Sequence, residues 1–132
     1  MPDSELDPIE TISRFLLKGQ IRAKDGAVHF RAFLPSSKLK LSVFRVQGFS
    51  EEQVWAIAAE KVEPTRGLVV GRGNLSVSQI VDKKLRVEPD AIPTSKHADI
   101  VEWPEDKTLR STIAMQLAAL ASPAIKRQTS TA

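Results

Sequence analysis

The chain contains no cysteine. That excludes disulfide frameworks, cysteine-ligated zinc, iron–sulfur clusters and thiol catalysis. Histidine occurs only as His29 and His97, so a three-histidine metal centre cannot be assembled. No metal site and no cofactor are therefore expected. No apolar run reaches the roughly 18 residues that a membrane span requires. The opening residues, Met1-Pro2-Asp3-Ser4-Glu5, are acidic and lack an apolar h-region, so they do not read as a secretory signal. The expected location is the cytoplasm, with no membrane among the partners. The GxxxxGK[ST] phosphate loop, the GXXG loop and the glycine-aromatic RNA-recognition signature are all missing too.

What remains is an ordinary globular composition of 132 residues, 42% hydrophobic and 27% charged. A core of that size holds without a covalent staple. The charge is unevenly placed. Residues 1–13 carry Asp3, Glu5, Asp7 and Glu10 and no base. Residues 14–47 carry Arg14, Lys18, Arg22, Lys24, Arg31, Lys38, Lys40 and Arg45 against Asp25 alone. The rest of the chain balances, so the net charge of +3 is concentrated in one block. A local block attracts a polyanion where a diffuse excess does not. The competing reading is that the acidic first segment folds back and neutralises it.

Hydrophobic periodicity predicts a helix over 8–18, with Asp7 as cap, Pro8 at the first helical position and Ile9, Ile12 and Leu16 as the apolar stripe. Residues 20–34 read as a hairpin around Asp25-Gly26. A third strand follows over 39–46. Ser50 and Gln53 form a capping-box spacing that opens a helix over 50–62, ended by Pro64, and Ser76 and Gln79 repeat the device for a shorter helix. Strands are expected over 67–71, 85–88 and 98–103, and a final helix over 105–121. The fold class is α+β, a single domain with a largely antiparallel sheet of about five to six strands and three main helices. One parallel pair is admitted in the middle of the order. Residues 1–6 read as a disordered acidic N-terminus, 7–121 as the domain and 122–132 as a disordered tail.

Four constellations carry possible chemistry. By alternation, Arg22, Lys24, His29, Arg31 and Lys40 project from one face of the first three strands, with Phe33 and Phe44 among them. Cations for phosphates and rings for bases suit single-stranded nucleic acid; the plainer reading is a solvated edge with the rings covered by a helix. Arg45 lies in phase with Leu39, Leu41 and Val43 on the presumed core face. A bulge turns it outward, or an internal carboxylate pairs it, or a ligand does. His97 and Asp99 share one face of a strand, a spacing suited to general-acid work, with Ser95 close by; a structural hydrogen bond at a strand end is the plainer account. Gly71-Arg72-Gly73 either presents amides and a guanidinium to an anion or makes a tight turn before Ser76.

The segments Ala32-Phe33-Leu34-Pro35, Leu41-Ser42-Val43-Phe44-Arg45, Ser50-Glu51-Glu52-Gln53-Val54-Trp55 and His97 to Lys107, in this order, resemble a group of small bacterial hypothetical proteins. The resemblance covers about residues 20–121. It implies a bacterial or mobile-element source and carries no residue role with it.

The leading expectation is a small non-catalytic cytosolic module whose basic sheet face binds a polyanion, single-stranded nucleic acid, or an acidic protein partner. The first alternative is an enzyme on a phosphate-containing substrate, such as a ribonuclease or nucleotide-transferring toxin. There His97 is the acid/base, Asp99 its orienter, and Arg31, Arg45 or Arg72 the clamp. The second is a structural subunit of a larger assembly, with Trp55 or Trp103 at the contact.

Overall fold

Residues 11–17 place Ile12, Arg14 and Leu16 on one side and Ser13 and Phe15 on the other. They form β1 (Thr11–Leu17), buried from Ile12 to Leu16, in a computed structural model that describes residues 6–91 and 94–127. The expected helix over 8–18 does not form. An i,i+4 pair such as Ile12 and Leu16 falls on one face of a strand as well as of a helix, so the stripe fits both. β-Branched Thr11 and Ile12 and the aromatic Phe15 favour the strand. Asp7 closes a turn instead: its Oδ1 accepts from the Ile9 N–H at 3.0 Å and its carbonyl from the Glu10 N–H at 2.9 Å.

The Asp25-Gly26 turn forms, with Gly26 at φ +75°, but the expected hairpin shrinks to one bridge, Ile21 to Val28. His29 then caps a 3-10 turn (Phe30–Phe33), its Nδ1 accepting from the Arg31 N–H. A 3-10 turn abolishes two-residue alternation. Phe33 therefore enters the main core with no exposed surface, and does not join His29 and Arg31 outside.

β2 (Leu41–Arg45) is followed by a helical run. Ser50 and Gln53 make the reciprocal capping box, opening α1 (Glu51–Ile57). A π-helical turn (Ala58–Val62) leads into α2 (Glu63–Arg66). Pro64 does not end the run, because it falls in the first turn of α2, where its missing N–H removes no intrahelical bond. β3 (Val69–Ser76) absorbs the glycine stretch, so Gly71 and Gly73 are strand residues, not a turn. The second capping box, Ser76 with Gln79, starts α3 (Val77–Val81). β4 (Arg86–Pro89), β5 (His97–Val101) and α4 (Lys107–Leu120) follow, with Asp106 as the cap of α4.

Residues 122–127 are not a free tail. The Ser122 hydroxyl accepts from the Val28 N–H at 2.8 Å and donates to the Ala118 carbonyl at 2.7 Å. Beyond it, β6 (Ile125–Lys126) pairs with Gly71 and Arg72. A Cβ on Gly71 would meet the Ile125 carbonyl, so the glycine lets that strand approach. Of the expected N-terminal tail, residues 1–5 lie outside the described residues, as do 128–132 of the expected C-terminal one.

The six strands form one antiparallel sheet in the order β4-β5-β2-β1-β3-β6, with no parallel pair among them. The fold is α+β. One sheet face, with Ile12, Leu16, Val43 and Ile100, packs on the 3-10 turn, α3 and α4 to make the main core. The other, with Phe15, Phe44 and Val69, packs under the helical run over 51–66 through Val54, Ala58 and Val62. Burying each such large side chain stabilises the fold by about 1.5–3 kcal/mol. No helix among the described residues is long and apolar enough to cross a membrane.

Candidate functional site

β1 and β2 pair over a very short stretch, Ile12 with Arg45 and Ser13 with Phe44. Past Ser13 the two strands part, and the gap exposes backbone carbonyls that a ladder would otherwise use. Arg14 fills it. Its Nε donates to the Ala32 carbonyl and its Nη1 to the Ser42 carbonyl, each at 2.8 Å. The residue is 6% exposed, and among the described residues no carboxylate pairs with it. Burial, and then the nearby charge of Arg66, push the guanidinium pKa down to about 9. At neutral pH it is still a cation, held without a counter-charge among the described residues.

Two lobes of a cleft, about 200 and 350 Å³, meet at Arg14, Ser42 and Arg66. Lys61 and Thr65 of the helical run line the smaller lobe, over Phe15 and Phe44. Lys40 and Asp99 line the larger, beside Leu34 and Pro35. The inner cation is thus ringed by exposed Arg66, Lys61 and Lys40, with Asp99 as the one acid along the walls among the described residues.

The register of β2 and β5 sets the next layer. Ser42 lies opposite Asp99 and Phe44 opposite His97, so all four share a face. Ser42 Oγ is 2.6 Å from His97 Nε2. His97 Nδ1 is 3.2 Å from the Asp90 carbonyl oxygen, which can only accept, so Nδ1 carries a proton, and in the neutral imidazole the Ser42 hydroxyl then donates to Nε2. Asp99 Oδ1 stands 3.7 Å from Nε2 and Asp90 Oδ2 3.8 Å from Nδ1. Burial pushes the Asp99 carboxyl up, His97 pulls it down, Asp90 pushes it up, Lys40 pulls it down and Glu88 adds a last upward push. The Phe44 ring meets the imidazole edge-on at 5.3 Å.

Asp90, His97 and Asp99 also bring one possible metal-ligand atom each within 4.8 Å of one another, a grouping the sequence reading did not anticipate. Both ring nitrogens are already hydrogen-bonded, so a metal taking the imidazole would have to displace Ser42 or the Asp90 carbonyl.

The expected basic sheet face is not assembled. Arg22 and Lys24 sit at the exposed turn, where Arg22 pairs with Asp25. His29 is spent as a cap and stacks on Phe30, and Arg31 points to solvent from the 3-10 turn. Phe33 and Phe44 are buried on opposite faces of the sheet. Of that set, Lys40 and Phe44 line the cleft. Arg45 takes the internal-pair option: its Nε and Nη2 meet the Glu10 carboxylate at 2.7 and 3.2 Å, on the face opposite His97. Arg45 cannot clamp a substrate for that histidine. Arg72 is buried in β3, paired with Glu51 and stacked 5.3 Å from the Trp55 ring centre, its Nε without a partner. Arg127 stacks on the same ring at 5.8 Å; Trp55 stays half-buried, while Trp103 is buried.

His97 and Asp99 come together as expected, but the serine beside them is Ser42, not Ser95. Ser42 and Arg14 were missed. The available signal for Arg14 was its place in phase with Ile12 and Leu16, a charge on an apolar stripe.

Comparison with known protein families, curated proteins and solved structures gives no match, so the likeness to small bacterial hypothetical proteins stays an expectation.

Proposed function

We propose that this protein binds a phosphate-bearing ligand in the cleft where β1 and β2 part. One observation carries the reading: Arg14 is buried and charged, and among the described residues no carboxylate pairs with it. Holding an unpaired ion out of water costs several kcal/mol, and a bound anion offsets that cost. One N–H each of Nε and Nη1 serves a carbonyl, which leaves Nη2 and the second Nη1 N–H as donors for a ligand in the cleft. Arg66, Lys61 and Lys40 around one inner arginine favour a dianion over a monoanion, hence phosphate over carboxylate. The cytoplasmic location expected from the sequence goes with this reading. Single-stranded nucleic acid and an acidic protein were expected on a flat basic face, and the scattering of Arg22, Lys24, His29 and Arg31 removes the geometric support for both.

Calorimetric titration with inorganic phosphate, and with acetate for comparison, tests the reading. Phosphate binds the wild type and acetate binds far more weakly. Arg14→Gln abolishes the binding. Equal affinity in Arg14→Gln, or no phosphate binding at all, defeats the reading.

A further inference from the structure

We propose that Ser42 is a nucleophile activated by His97, and that its substrate is an ester of the phosphate held beside it. The substrate half rests on the phosphate reading above; the nucleophile half rests on separate geometry.

A serine hydroxyl is a weak nucleophile until a base takes its proton. Ser42 has that base in place: the hydroxyl donates to Nε2 at 2.6 Å, and the Asp90 carbonyl fixes the tautomer by holding the proton on Nδ1. Asp99 and the Asp90 carboxylate flank the ring at 3.7 and 3.8 Å, where they stabilise an imidazolium once it forms. Phe44 fixes the ring plane from the side. Ser42 lines both lobes of the cleft. Clamp and nucleophile also converge on one residue. The Ser42 carbonyl accepts from Arg14 while the Ser42 side chain engages His97, so a phosphate on Arg14 is placed relative to the attacking oxygen.

The reaction balances with water as its only co-reactant. Ser42 Oγ attacks phosphorus and forms an O–P bond as its proton passes to Nε2. The ester O–P bond breaks, and the leaving oxygen takes the proton from Nε2 and departs as an alcohol. Water then attacks the phosphoserine and gives a proton to Nε2. The Oγ–P bond breaks, Ser42 recovers the proton, and inorganic phosphate leaves.

A fluorophosphonate ester tests the nucleophile, since it phosphonylates a base-activated serine and releases fluoride. The full chain is incubated with the probe and the adduct mapped by mass spectrometry. A single adduct at Ser42, absent in Ser42→Ala and formed about a hundredfold more slowly or worse in folded His97→Gln, supports the proposal. No adduct, an adduct on another serine, or an unchanged rate in His97→Gln overturns it. The adduct's position in the wild type needs no variant, so a misfolded His97→Gln leaves the test standing. Phosphate titration on the same preparation separates the two readings. Binding without an adduct removes the nucleophile and keeps the anion site. An adduct without phosphate binding overturns the phosphate ester as substrate.

Discussion

The pH dependence of stability tests whether Arg14 is a buried cation without a counter-charge. The guanidinium pKa is pushed down to about 9 in the folded protein, by burial first and Arg66 second. Below about pH 9 both folded and unfolded chains hold the proton, and the burial penalty is constant. Above it the folded chain releases the proton while the unfolded chain keeps it until its own higher pKa. Across that window the unfolded state binds more protons, so stability rises with pH. From about pH 8 to about pH 11 the gain from Arg14 is roughly 2–3 kcal/mol, at about 1.4 kcal/mol per unit. Urea denaturation of the wild type and of Arg14→Met over that range isolates it, because lysines and other groups titrate in both. The stability of the wild type relative to Arg14→Met grows by that amount. Saturating phosphate flattens the trend, since a bound anion keeps the guanidinium charged. A difference that is flat or falls with pH in the absence of phosphate refutes the reasoning.

Three further outcomes follow from the packing. The Glu10–Arg45 pair is bidentate and mostly shielded, with side-chain exposures of 10% and 30%. A double-mutant cycle with Glu10→Gln and Arg45→Gln should give a coupling of about 2 kcal/mol, between surface and buried pairs; a value below about 0.5 kcal/mol contradicts the geometry. In Gly71→Ala the new methyl would meet Ile21 Cδ1 at 2.7 Å and the Ile125 carbonyl at 2.8 Å. Destabilisation of about 1–3 kcal/mol is expected, with faster amide exchange at Arg127, whose N–H bonds the Val70 carbonyl; unchanged exchange there means that β6 does not pair as described. Arg22→Glu with Lys24→Glu should leave phosphate affinity within about twofold, because screening removes the influence of exposed charges outside the cleft. A tenfold loss would restore the basic face.

Local signals in the sequence survived into the structure. Ser50 with Gln53 and Ser76 with Gln79 are contacts three residues apart, and both capping boxes form where they were read. The alternation over 41–45 and 97–101 is real, and it put His97 and Asp99 on one face. Failures came where one pattern serves two structures. Ile12 and Leu16 satisfy strand and helix alike, and the β2–β3 partners that decide between them lie far along the chain. Phe33 was misplaced because His29, an apparent strand residue, caps a 3-10 turn. Arg14 and Ser42 could be named from no short window. The burial of one depends on where β1 leaves β2, and the partner of the other depends on the register of β2 against β5.

The parting of β1 and β2 has a mechanical meaning. Strands β4, β5 and β2 make one panel and β1, β3 and β6 another; within the sheet they share only a brief ladder, beyond which the Arg14 guanidinium of β1 reaches the Ser42 carbonyl of β2. An anion lodged on that guanidinium would act as a rivet across the seam. Filling the cleft and stiffening the molecule then become the same event.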